Sequence, residues 1–99
     1  MAVRIDCKLP GHEGEWVEFR DSPWPFKDRR AVLAANSDLA ALTVILGYVS
    51  GSELKDVDGK PAAVSGLDSL DNLDDLVVSW IIEAWFFARN KRSEVPKAG

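Results

Sequence analysis

The 99-residue chain is poor in the residues from which most small active sites are built. It has one cysteine, Cys7, so no internal disulfide can form, and a lone thiol fits a reducing compartment. His12 is the only histidine, and with a single distant cysteine it leaves no credible zinc set. Cys7 has no histidine at motif spacing, and its place among alternating residues predicts a buried thiol, not a nucleophile. No glycine-rich phosphate loop and no G-x-S-x-G elbow occurs. Asp56-Val57-Asp58-Gly59 resembles the start of a calcium loop. The register fails, because the first ligand would be Leu54 and the twelfth position Ser65; a β-turn is the expectation. The residues therefore predict no catalysis, no cofactor, no metal and no small-molecule substrate.

Basic charge is also scarce. A net charge of −4 argues against nucleic-acid binding, which needs a basic face to displace phosphate counterions. The mostly apolar run Leu76 to Ile82, broken by Ser79, ends at Glu83 and is far short of the ~20 residues of a membrane span. The opening MAVRIDCKLP carries charges where a signal peptide needs its apolar stretch, so export is not expected. What the chain does have is the 46% apolar and 28% charged content of a globular protein. We read residues 1–92 as a single globular domain. The tail after Arg92 has too few apolar groups to stay ordered, so residues 93–99 are expected to be flexible.

The densest stretch is Leu70 to Arg92, with two of the four tryptophans and two of the four phenylalanines. At about 100° per residue, Leu73, Leu76, Val77, Trp80, Ala84, Phe87 and Ala88 share one apolar face. Val78, Ile82, Trp85 and Phe86 form a second, edged by Arg89. Asp68, Asp71, Asp74 and Asp75 crowd the start, and Arg89, Lys91 and Arg92 the end, complementing the helix dipole. Two readings of the doubled face stay open. The helix is central and wrapped by the other elements, or its second face meets a partner or another copy of the chain.

The earlier segments supply a small α+β frame, predominantly helical. Val3, Ile5, Cys7 and Leu9 alternate with polar residues, and Trp16 to Arg20 resumes the period, predicting a β-hairpin over residues 3–20. His12 to Glu15 reads as its polar loop. Ser22-Pro23-Trp24-Pro25 is a rigid link that pins Trp24 on the core. Helices are expected near 27–35, 37–50 and 69–91, the last central, with the hairpin packed on them. The basic flank Lys27, Arg29, Arg30 is read as a solvated face, or as an ion-pair partner for the acidic start of the last helix. Ser37 or Asn36 caps the second helix, and Gly51 is its expected C′ residue. Residues 50–68 read as a long connection with a turn at Asp58-Gly59. The predicted core is Val17, Phe19, Leu42, Ile45, Leu46, Leu73, Val77, Trp80, Ala84 and Phe87.

In order, Glu15-Trp16-Val17-Glu18-Phe19-Arg20-Asp21, then Lys27-Asp28-Arg29-Arg30-Ala31-Val32, a middle helix, Asp56-Val57-Asp58-Gly59-Lys60-Pro61 and a Leu/Asp-rich final helix resemble one family. The chain is similar, over most of residues 13–90, to the short tail assembly chaperones of long-tailed bacteriophages, particularly those of actinobacterial hosts. The resemblance implies a non-enzymatic chaperone in the host bacterial cytoplasm. Such proteins coat the tape measure protein until tail-tube subunits displace them, and they are often made in two forms, the longer through a programmed frameshift. A structural virion component and a small regulatory protein-binding module are the alternative readings. Under the chaperone reading, Val78, Ile82, Trp85, Phe86 and Arg89 are the expected partner-binding residues. The uncovered face also predicts self-association into a dimer or larger species.

Overall fold

The computed structural model describes residues 2–93, with side chains described through Arg92. Strand β1 (Val3–Asp6) and strand β2 (Trp16–Phe19) form the expected antiparallel hairpin, in register Ile5 opposite Val17 and Asp6 opposite Trp16. Alternation sends Ile5, Cys7, Val17 and Phe19 inward, all buried. The outer face carries Arg4, Trp16 and Glu18. There the Arg4 guanidinium lies 3.9 Å from the Trp16 ring centroid and 3.7 Å from Glu18.

Helix α1 (Phe26–Ala34) and helix α2 (Asp38–Ile45) follow. Ser37 Oγ caps α2 by accepting the Ala40 N–H at 3.2 Å. The expectation that α2 runs to residue 50 is wrong. A 3₁₀ turn at Leu46–Tyr48 ends the helix, and strand β3 (Val49–Lys55) begins at once. β3 pairs antiparallel with β2, and Gly51 is a strand residue, not a helix stop. A Cβ at Gly51 would lie 2.9 Å from Glu18 Oε1 across the pair, so the glycine admits that side chain. The supposed long connection is thus mostly a second hairpin. Strand β4 (Pro61–Ala62) pairs with Leu54 and Lys55, giving a sheet of order β1-β2-β3-β4. The Asp58-Gly59 turn is present between them. Asp56 Oδ1 accepts the N–H groups of Asp58 and Lys60, and Gly59 holds φ +79°, which favours glycine.

Helix α3 (Asp75–Ser93) starts six residues later than predicted. Leu67–Leu70 is a separate 3₁₀ turn, and the Asn72 carbonyl accepts the Val57 N–H at 2.9 Å, which holds that segment outside the helix. Asp74 is the cap: its Oδ1 accepts the Leu76 N–H at 3.0 Å and its carbonyl the Val77 N–H. At the other end, Ser93 extends the helix one residue past the expected domain limit. The rest of the predicted flexible tail, residues 94–99, lies outside the described residues. α3 packs on β1 and β2 and against α2, so the domain is α+β with three helices and a four-stranded antiparallel sheet. Of the predicted core only Phe87 fails. It is 53% exposed, because it stands beside β1, the edge strand, with no further strand among the described residues to cover it.

Candidate protein-binding surfaces of the last helix

The five residues expected to bind a partner do not form one exposed surface. Trp85 is only 1% exposed, and Val78, Ile82, Phe86 and Arg89 are half-buried. The cover comes from outside the helix. The Ser22-Pro23-Trp24-Pro25 link lays Trp24 flat on Trp85, with ring centroids 5.4 Å apart and planes 8° from parallel. Tyr48, delivered by the 3₁₀ turn, meets both indoles edge-on or tilted at 4.8 to 5.7 Å, and Phe86 closes the group. Two polar handles fix the arrangement. Trp24 Nε1–H donates to the Arg20 carbonyl at 2.8 Å, and the Tyr48 hydroxyl donates to Asp28. Burial, and then the Asp28 carboxylate, push the Tyr48 phenol above its ordinary pKa, so it stays a donor. The expected docking centre is an aromatic core.

The apolar surface that does face outward lies round the other side of α3. Leu76 is 61% exposed and Phe87 53%. Phe87, Trp80, Ile5 and Leu9 line a groove of about 700 Å³ between α3 and β1, rimmed by Asp6, Lys8, Glu83 and Lys91. Because among the described residues β1 has a partner only in β2, one edge of the sheet borders the groove. Periodicity alone assigns Phe87 to the core. Its exposure follows from the position of the sheet edge, which no property of residues 70–92 signals.

A polar cluster lies at the start of the same helix, unforeseen in the sequence. His12 sits between Glu15 and Asp74, with Nδ1 2.7 Å from Glu15 Oε2 and Nε2 2.9 Å from Asp74 Oδ2. Glu15, expected in a polar loop, is buried, and its Oε1 accepts the Lys55 N–H at 3.0 Å. The cluster contains no nucleophile and ties three elements together. Cys7 is buried, as its place in the alternation predicts, and that burial raises its pKa. Among the described residues no group of His, Cys, Asp and Glu is arranged to hold a metal ion, and no helix is long and apolar enough to cross a membrane. Comparison with family models, curated proteins and solved structures returns no match.

Proposed function

We propose that this chain is a non-enzymatic protein-binding module of the tail assembly chaperone kind, which holds the apolar stripe of a helix in the tape measure protein. The observation that carries the reading is Phe87, more than half exposed over a groove whose other apolar walls are Ile5, Leu9 and Trp80. An aromatic left out of a small core, beside a concave apolar surface, is the feature that seats an amphipathic helix. The rim has both signs of charge, Asp6 and Glu83 against Lys8 and Lys91, which suits a helical client with mixed charged flanks. In this reading the groove replaces the Val78, Ile82, Trp85 and Phe86 face as the docking surface. The host bacterial cytoplasm, where tails assemble, is the compartment the proposal requires. Self-association belongs to the same proposal. Phe26, Leu33 and Leu39 on α1 and α2 are each more than half exposed, and none of them lines the groove.

The test is co-expression with the long helical product encoded beside this chain. The wild-type chain should keep that product soluble, and Phe87→Glu should not. Purified particles should lack this chain, since a chaperone leaves before assembly ends. Its presence there at fixed stoichiometry would replace the chaperone with a structural component of the virion.

A further inference from the structure

On the face of α3 turned away from the groove, Trp24, Phe26, Arg29, Trp85, Arg89 and Arg92 line a cleft of about 200 Å³. Trp85 and Phe87 are two residues apart, which on a helix places them roughly 200° apart, so cleft and groove are independent surfaces. The walls of the cleft are aromatic. Arg92 Cζ lies 4.8 Å from the Trp24 ring centroid, continuing the stack of Trp24 on Trp85. Within this frame three guanidiniums converge from two elements, Arg29 from α1 and Arg89 and Arg92 from α3. None of the ion pairs among the described residues involves any of the three. In a chain of net charge −4, that concentration of unneutralised positive charge has to be accounted for.

The helix dipole explains Arg89 and Arg92, which sit in the last turns of α3 where cations are favoured. It does not explain Arg29. Three guanidiniums without an ion pair around one cavity call for an anion.

We propose that the cleft binds an oxyanion, a carboxylate or phosphate group, held and neutralised by the guanidiniums of Arg29, Arg89 and Arg92. The guanidinium fork matches both groups. The cleft is smaller than the roughly 300–1,000 Å³ of sites that enclose drug-sized ligands, so it takes a single acidic head and not a nucleotide.

The indole N–H signals test this in the full chain. Its four tryptophans give four such signals in a ¹H–¹⁵N spectrum, and Trp85→Phe identifies the one belonging to Trp85. The chain is titrated at constant ionic strength with inorganic phosphate and, separately, with acetate. The Trp85 signal should shift saturably, while that of Trp16, whose Nε1–H donates to Glu53 Oε2 at 3.0 Å, stays in place. Saturation by phosphate alone assigns a phosphate group, by acetate alone a carboxylate, and by both an oxyanion site that takes either. Arg29→Gln should weaken binding by about tenfold or more, the scale of one charge-assisted hydrogen bond. Arg89→Gln should do the same and serves if Arg29→Gln does not fold. Arg4→Gln, on the outer face of the sheet, should leave the titration unchanged. No saturable shift with either anion overturns the proposal, and so does an equal shift in folded Arg29→Gln and Arg89→Gln variants.

Discussion

The His12 imidazole bonds to Asp74, 62 residues later in the chain, with Nε2 2.9 Å from Asp74 Oδ2. Since its other nitrogen faces Glu15, both ring nitrogens can donate only as the imidazolium. Asp74 is also the cap of α3. The His12 side chain therefore ties the loop of the first hairpin to the start of the helix on which both candidate surfaces stand.

That tie makes stability depend on pH in a defined window. Hydrogen bonds to Asp74 and then Glu15 raise the His12 pKa, while the bond to His12 and then the Leu76 N–H lower that of Asp74. The raised histidine contributes stability that is fully present below its unfolded value of ~6.5 and is lost as pH rises through the folded value. The lowered carboxylate contributes above its unfolded value of ~3.9, and that contribution is lost as pH falls through the folded one. Glu15, Lys55, Asp56 and Asp74 are the charged groups that line the same surface. Denaturant titration of His12→Gln against wild type should show its largest deficit between about pH 4 and 6.5, shrinking toward pH 9. A deficit that does not vary with pH would mean the imidazole is neutral in the fold.

Trp85→Ala should cost about 3–5 kcal/mol of folding stability, as for a buried aromatic truncated in a packed core. Trp80→Ala, at 6% exposed, belongs in the same range. Chemical denaturation of both variants checks this. A near-neutral Trp85→Ala would contradict the stack with Trp24 and Tyr48.

Phe87→Glu should fold with stability within about 0.5 kcal/mol of wild type, since more than half of the ring is already in water. Calorimetric titration with a tape measure segment should show a loss of about 2 kcal/mol or more in affinity for the same variant. Retention of full affinity would remove the groove as the docking surface.

Sedimentation at micromolar concentration should show a dimer or larger species, with Leu33→Glu and Leu39→Glu together shifting it toward monomer. Both side chains are exposed, at 58% and 65%, so the change should leave the fold intact. A wild-type monomer across the whole concentration range would mean these side chains stay uncovered.

The residues alone determined those features whose cause is local. Alternation of Val17 and Phe19 against Trp16 and Glu18 specified which side of the hairpin is buried, and both inward residues are fully enclosed. The Ser37 hydroxyl fixed the start of α2, and the prolines around Trp24 held that link extended with its indole on the core. Tertiary structure decided the rest. Val49–Lys55, with Ser50, Gly51 and Ser52, has little strand propensity of its own; it is a strand because β2 offers it hydrogen bonds and a partner. Periodicity grouped the residues of α3 by face and was silent on what stands opposite each face. Trp24 and Tyr48 arrive over Trp85 and bury it, whereas the sheet ends at β1 and leaves Phe87 in water. Burial is a property of two surfaces in contact, and one segment of sequence describes only one of them.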